Sequence, residues 1–389
     1  MKSERRYRGT GGGGRFNRLR IAPYLQILLG LAILAGTVWF LARFVYPLSR
    51  NLAQGISPFA TPTPIGATPV PTPSPSPTPD PAMDHPLYTA DLTTAQHEIV
   101  IPEYQYLADP VVYNGMIYFA AGNYSTDGMS SFVRLCIYDP ASDTHSFLAL
   151  PVQYKSLRFP AVNDRWIVYL DATANGGGRL VAYNRETEQS FAFKTVHVGM
   201  PKPVLVGDVA VWIERTGQSR DKLFACDLNT LESVTLEIYD NSVAALSSPC
   251  SDGETLCYVA PGGELTAWTL ATNEKRVIPT GTKVHDPKTN GTYLAYLTGN
   301  HGEDSELMLV TDDGVVRVAS GVAEFAIGDT FIAYNRYDRN FVYFPADGTT
   351  FCTTRRGEEA LLLTAGGNLL VWMDVTWRDK DISEFMVIE

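Results

Sequence analysis

Cysteine and histidine are scarce in this sequence of 389 residues. Five cysteines in a chain of this length exclude a disulfide scaffold, so the fold must rest on a packed apolar core. The six histidines never fall at the spacing of a metal site, and none lies near a Cys-x-x-Cys pair. We therefore predict neither a metal nor a cofactor.

Helical periodicity and catalytic motifs are also missing. After residue 90, no window keeps apolar residues at i, i+3, i+4 and i+7 without an interrupting Gly or Pro, which predicts an all-β domain. No Gly-x-Ser-x-Gly elbow of a hydrolase occurs. The acidic turns TDDG, PADG and STDG lack the alternating ligands of a calcium loop, so we interpret them as hairpin turns.

Charge divides the chain into two unequal parts. The first 50 residues hold nine basic residues and one acidic residue, a net charge of +8. The rest holds 22 basic and 41 acidic residues, a net charge of −19, which disfavours nucleic acid and anionic lipid as partners. The leading Arg/Gly-rich segment resembles an RNA-binding tail, but it has too few aromatic residues to stack on bases.

One long apolar run indicates a membrane anchor. Tyr24–Ala42 contains 19 residues without a formal charge, enough to cross a hydrocarbon core of roughly 30 Å. Seven basic residues precede it and Arg43 and Arg50 follow, which predicts a cytoplasmic tail (1–20), a single membrane helix (21–46) and an extracytoplasmic remainder. A cleaved secretory signal is the alternative. A lipoprotein anchor is excluded because the first cysteine is Cys136.

Residues 47–86 are predicted to form a stalk. Proline recurs at every second or third position between Pro58 and Pro81, which favours an extended polyproline II chain. At about 3.1 Å per residue this part spans at most roughly 70 Å. The alternative is a docking motif for a proline-binding module, but such modules mostly act on the cytoplasmic side.

A repeated phrase fills the remaining residues, 95–389. KPVLVGDVAVWIE, beginning at Lys202, has six variants, each with a proline or polar opening, a Gly, Asn or Asp turn and a strand that reaches an aromatic residue. The aromatic residues are spaced by 51, 43, 46, 38, 38 and 38 positions, and they are Tyr118, Tyr169, Trp212, Tyr258, Tyr296, Tyr334 and Trp372. Such periods are typical of propeller blades, so we predict a seven-bladed β-propeller.

The strands within a repeat can also be predicted. VLV and VAVWI should pair across Gly207-Asp208, LFACDL should form a third strand and VTLEI a fourth, with proline tolerated at the first residue of a strand. The last repeat is one strand short after EFMVIE, and His97–Pro102 should close the ring as its outer strand. A two-residue loop at Gly253-Glu254 would place Cys250 opposite Cys257, either as free thiols, which we favour, or as a bridge.

These phrases resemble the TolB-like and dipeptidyl-peptidase-like propeller repeats of bacterial envelope proteins, from about Ala95 to Glu389. The strict WD40 pairs Gly-His and Trp-Asp are missing. The peptidase propellers precede an α/β-hydrolase domain, for which this sequence shows no elbow motif. The resemblance implies a propeller and leaves the activity open.

The residues that open the phrases are the candidate site. Innermost strands should bring them to one mouth of a central channel, where they either bind a polar ligand or are solvated rim residues. The predicted ligand-binding residues are Asp109, Arg158, Lys202, Ser248, His285, Asp286 and Glu324. We expect a binding module for an envelope or extracellular protein or glycan, with a propeller hydrolase or lyase as the alternative and no catalytic residue assigned. A sensor is less compatible with so short a cytoplasmic tail.

Overall fold

The computed structural model describes residues 96–124, 130–215, 220–240, 247–281, 283–299, 305–354, 359–375 and 382–388. The predicted membrane helix and stalk lie outside these residues. The part of the chain that the structure describes contains no helix long and apolar enough to cross a membrane.

The described residues form 28 strands in seven antiparallel sheets of four. The first strand along the chain is β1 (Gln96–Glu98). Blade 1 comprises β2 (Tyr106–Tyr113), β3 (Met116–Tyr124), β4 (Ser130–Asp139) and β5 (Thr144–Leu148). Blade 2 comprises β6 (Leu157–Val162), β7 (Trp166–Ala172), β8 (Gly178–Asn184) and β9 (Gln189–Val196). Blade 3 comprises β10 (Val204–Val206), β11 (Val209–Glu214), β12 (Arg220–Asp227) and β13 (Ser233–Asp240).

The remaining blades follow the same order. Blade 4 comprises β14 (Cys250–Ser251), β15 (Thr255–Val259), β16 (Leu265–Thr269) and β17 (Glu274–Ile278), and blade 5 comprises β18 (Val284–Thr289), β19 (Leu294–Thr298), β20 (Glu306–Thr311) and β21 (Gly314–Ser320). Blade 6 comprises β22 (Glu324–Ile327), β23 (Ile332–Arg336), β24 (Arg339–Phe344) and β25 (Thr349–Cys352). Blade 7 comprises β26 (Ala360–Gly366), β27 (Leu369–Asp374) and β28 (Ile382–Val387), together with β1. The first strand of each blade contacts the first strands of both neighbouring blades, so these seven strands surround the axis of a closed ring.

The predicted seven-bladed, all-β propeller is confirmed. The aromatic residues that mark the repeats all lie on the second strand of their blades and are at most 5% exposed. Apolar side chains pack between neighbouring blades, as in the cluster that joins Val211 and Tyr239 of blade 3 to Tyr258 of blade 4 and Tyr296 of blade 5. Burial of these inter-blade surfaces is the main stabilising contribution.

The ring closes with the N-terminal strand, as predicted, but at different residues. β1 pairs with β28 as the outermost strand of blade 7, with Gln96 opposite Met386 and Glu98 opposite Glu384. The prediction of His97–Pro102 was therefore too late in the chain and too long. Ile99 and Ile101 follow the strand as buried core residues, because their apolar side chains pack on the strands of blades 1 and 7.

The prolines do not all open their strands, which corrects the sequence interpretation. In blades 1, 2 and 5 they lie inside the inner strand at a β-bulge, where the register shifts between Ala108 and Val111, Arg158 and Ala161, and His285 and Lys288. A bulge interrupts the ladder, so the missing N–H of proline costs no hydrogen bond there. Only in blades 3 and 4 does the proline precede the strand.

Candidate functional site

All seven predicted site residues lie on or just before the inner strands of the ring. The inner strands run in the same direction, because each blade has four antiparallel strands and the chain returns to the axis at every new blade. The starts of these strands therefore meet at one end, here called the strand-start end, and the first hairpin turns meet at the other, here called the turn end. Blades 1 to 6 supply the seven residues, on or just before β2, β6, β10, β14, β18 and β22.

The residue before each bulged proline adopts a left-handed backbone. The φ angles are 48° at Asp109, 50° at Phe159 and 47° at Asp286. This conformation costs on the order of 1 kcal/mol for a non-glycine residue, so the surrounding contacts must hold it in place. Blades 1, 2 and 5 thus share the same strained bulge in their inner strands.

Asp109 and Arg158 form an ion pair between blades 1 and 2. The guanidinium Nε donates to Asp109 Oδ2 at 2.5 Å, and Nη2 donates to Oδ1 at 3.2 Å. The Phe159 N–H donates to the same carboxylate at 3.0 Å, and the guanidinium lies 5.0 Å above the Phe159 ring. These two predicted residues satisfy each other, so they hold the strained bulges in place and leave little free capacity for a ligand.

Lys202, Asp286 and Glu324 form the second predicted group, and Lys288 joins them. The Lys288 amine donates to the carbonyl oxygen of Phe325 and lies 5.1 Å above the Phe325 ring. Lys202 Nζ lies 5.2 Å from the centroid of the Phe159 ring, and this cation–π contact stabilises the position of the amine. This group therefore comes from blades 3, 5 and 6, and it contacts Phe159 of blade 2.

Burial shifts the pKa values of two of these groups in opposite directions. It lowers the pKa of Lys288, further helped by the charge of Lys202, while Glu324 and Asp286 oppose the shift. Burial raises the pKa of Glu324, against the opposing effects of Lys288, of Lys202 and of a hydrogen bond from the Leu362 backbone. Both shifts favour the uncharged forms, an amine and a carboxylic acid.

Lys288 was missed by the sequence interpretation, which took only the first residues of each phrase. It pairs with the residue that precedes the aromatic one, opposite Ala295. The same position in the other blades holds a small or apolar residue, namely Val112, Ala161, Val204, Cys250, Ala326 and Thr364. Comparison of the phrases at this position would have singled out the lysine.

A cleft of about 360 Å³ opens at the strand-start end beside this group. Its polar walls are Lys202, Arg215, Ser247, Ser248 and Asp286. The Asp286 backbone N–H donates to Ser247 Oγ at 3.2 Å, which fixes the carboxylate-bearing residue against blade 4. Two cationic side chains and one carboxylate therefore face the cleft, on a domain whose overall charge is strongly negative.

Two predicted residues have less direct roles, and the structure also places the cysteine pair. His285 is 7% exposed, and its Nδ1 lies 3.2 Å from Asp286 Oδ2, so it supports the carboxylate from within the protein. Ser248 lines the cleft. Cys250 lies opposite Cys257, both as free thiols, in a register centred on Gly253-Glu254 as predicted, with residues 252–254 between the two strands.

Metal ligands do not converge in the described ranges, where no group of three or more His, Cys, Asp or Glu could hold an ion. Burial raises the pKa of Cys250, and the adjoining Cys257 thiol raises it further, so this thiol stays protonated at neutral pH. The charged groups at the strand-start end are thus the chemically distinctive part of the described structure.

Comparison with known proteins gives fold likeness only. No family model matches the chain, and no curated protein matches its sequence. Among solved structures, it is similar to the Pyrococcus horikoshii acylaminoacyl peptidase, with 10% identity and a TM-score of 0.49, over 71% of this chain and 50% of that one. An oligogalacturonate lyase in complex with manganese has 12% identity and a TM-score of 0.49, over 76% and 93% of the two chains. The chain thus spans about half the length of the peptidase, and at such identity nothing about activity follows.

Proposed function

We propose that this protein is a binding module that takes a carboxylate-bearing ligand in the cleft at the strand-start end. The observation that carries this proposal is the convergence of Lys202 and Arg215 with two serines on a cleft of about 360 Å³. An anion gains most from such a site because the remaining surface of this acidic domain repels it. Lys202 would act as a point charge and Arg215 as a planar, bidentate donor.

The other predicted residues would position these groups. The Asp109–Arg158 pair fixes Phe159, and the Phe159 ring in turn lies under the Lys202 amine. Asp286 would accept a hydrogen bond from a hydroxyl or amino group of the ligand, which would distinguish a substituted carboxylate from a simple anion. Sugar acids and peptide C-termini both have this chemistry.

The location is part of the same proposal. The uncharged run Tyr24–Ala42 and the basic residues before it support a single membrane helix with a cytoplasmic N-terminus, a stalk and an extracytoplasmic propeller. The repeated phrases support a place among TolB-like envelope propellers. We expect protease added to intact cells to cut the stalk and release the propeller. Cleavage only after lysis would contradict this orientation.

Titration calorimetry with the detergent-solubilised full chain tests the cleft. The probes are tetragalacturonate and a tetrapeptide with a free C-terminus, with maltotetraose and the amidated tetrapeptide as their uncharged counterparts. We expect one acidic probe to bind, to bind more weakly at high salt, and to lose about tenfold in affinity in Arg215→Gln. Arg317→Gln, on an outer strand, is the matched control. Equal binding by charged and uncharged probes would contradict the proposal.

An enzyme is the second candidate, and one observation favours it. Lys288 and Glu324 are a half-buried amine and a half-buried carboxyl with pKa values shifted toward each other. Shifts in these directions favour proton exchange with a bound molecule, as acid–base catalysis requires. If turnover of a bound probe is found, Glu324→Gln should abolish it while leaving binding largely intact.

A further inference from the structure

The turn end carries a second concave site, a polar groove of about 850 Å³ between blades 4, 5 and 6. Its volume is within the range of small-molecule sites in proteins. The groove is separate from the cleft proposed above, because their linings share no residue. Its function must therefore be argued from its own residues.

The groove lies where the hydrogen bonds between first hairpin turns are interrupted. Elsewhere at this end, Asn163 Nδ2 donates to Gly207 O at 2.8 Å, and Gly207 N donates to Gly253 O at 2.7 Å. Asn290 Nδ2 likewise donates to Gly328 O at 2.8 Å. Among the described residues no such bond joins blades 4 and 5, nor blades 7 and 1, and between blades 4 and 5 the Asp252 side chain packs beside Gly291.

The groove walls are fixed by local hydrogen bonds. Asp252 Oδ1 accepts the N–H groups of Glu254 and Thr255 at 2.8 and 2.7 Å, which stabilises the blade 4 turn. Asn290 Oδ1 accepts the N–H groups of Thr292 and Tyr293 at 3.1 and 2.8 Å, which stabilises the longer blade 5 turn and places Tyr293 in the wall. The binding surface is therefore pre-formed, and little conformational entropy of the two turns would be lost when a ligand binds.

The chemistry of the lining combines flat rings, hydroxyls and charges of both signs. Tyr293 and Tyr343 supply the rings, and the side chains of Thr292 and Thr311 supply hydroxyls. Arg276 faces the groove together with Asp252 and Asp312. Aromatic faces pack on the C–H faces of sugar rings, while charged donors and acceptors bind vicinal hydroxyls. The geometry points to a binding site for a neutral oligosaccharide in this groove.

Titration calorimetry and saturation-transfer NMR on the detergent-solubilised full chain test this assignment. The probes are cellotetraose, maltotetraose and chitotetraose, with tetra-alanine as a peptide comparison. We expect at least one of the three sugars to bind with a Kd below about 1 mM and to lose about tenfold in affinity in Tyr293→Ala. Tyr337→Ala, which removes a 57% exposed ring at the end of β23, is the matched control and should bind normally.

A second variant covers the case in which Tyr293→Ala does not fold. Arg276→Gln changes an exposed side chain on β17, should fold, and should also weaken the bound sugar about tenfold. Arg215→Gln should leave sugar binding unchanged, which separates this site from the cleft at the strand-start end. Three results would overturn the assignment: no sugar binds, tetra-alanine alone binds, or Arg276→Gln binds the sugar as the wild type does.

Discussion

The two ends of the ring are built from the same seven inner strands but differ in what joins neighbouring blades. At the turn end the links are mostly backbone and amide hydrogen bonds, such as Asp329 N to Gly367 O at 2.7 Å. At the strand-start end they include ion pairs, left-handed bulges and charged groups with shifted pKa values. Neutral hydrogen bonds therefore predominate at the turn end, whereas charged groups contribute more to the links at the strand-start end.

Closure of the ring is the largest test of this comparison, because neither end can form without it. Deletion of residues 96–101 removes β1 and buried Ile99 and Ile101. We expect a loss of about 4 kcal/mol or more in the free energy of unfolding, or roughly 8 °C in Tm, measured by thermal denaturation. Deletion of Pro58–Pro81 is the control and should not shift the Tm. Similar melting of both deletions would show that β1 does not stabilise the ring.

Asp208 at the turn end should matter more for stability than Asp286 at the strand-start end. It accepts from Trp166 Nε1 at 2.7 Å, Arg165 Nη1 at 2.9 Å and Asn229 Nδ2 at 3.0 Å. Asp208→Ala should cost about 2 kcal/mol in urea denaturation, because these three donors lose their shared acceptor, although partial exposure limits the loss. Asp286→Ala should cost about half as much or less. The reverse order would break the comparison.

The half-buried groups Lys288 and Glu324 should contribute little to stability. Lys288→Met/Glu324→Gln removes both charges while keeping similar volumes, and desolvation no longer opposes folding. We expect a free energy of unfolding equal to the wild type or about 1 kcal/mol higher at pH 7, measured in urea. Glu324→Gln alone should be less stable than the double variant, because Lys288 then loses a nearby opposite charge. A large loss in the double variant would make this pair a structural element.

Glu324 also predicts a small pH dependence. Its folded pKa lies above the ordinary value of 4.5, so the folded state binds this proton more tightly than the unfolded state does. The resulting stabilisation is present at low pH and is lost as the pH rises through the folded pKa. The free energy of unfolding of the wild type, relative to Glu324→Gln, should therefore fall as the pH rises above about 4.5. A constant difference between the two proteins would contradict this shift.

Most of the fold was predictable from the sequence because a blade repeats its own pattern. Alternation and turn residues located the hairpin at Gly207-Asp208 and the third strand over LFACDL, which correspond to β10–β11 and β12. The bounds of the closing strand β1 were harder to predict, because Gln96–Glu98 has no alternation of apolar and polar residues. The bulges were also missed, because a proline after Asp109 or Asp286 looks the same in sequence whether it opens a strand or interrupts one.

The candidate site was predictable in location but not in chemistry. Equivalent positions in a repeat lie at equivalent places in the blades, so the phrase openings predicted that all seven residues lie on or beside the inner strands. Which of them pair with each other depends on side-chain geometry, so Asp109 and Arg158 could not be recognised as an ion pair, nor Arg215 as part of the cleft. Lys288 shows that a departure from the repeat can be as informative as the repeat itself.

The closing strand also constrains the order of folding. Gln96 pairs with Met386, so β1 is synthesised before the blades but can pair only after the last of them has been made. Throughout translation it remains an unpaired strand, the kind of segment that joins other chains into aggregates. Its residues, Gln96, His97 and Glu98, are all polar. This polar composition keeps β1 soluble while it is unpaired. The long-range pairing of β1 with β28 is then a slow step that comes last in folding.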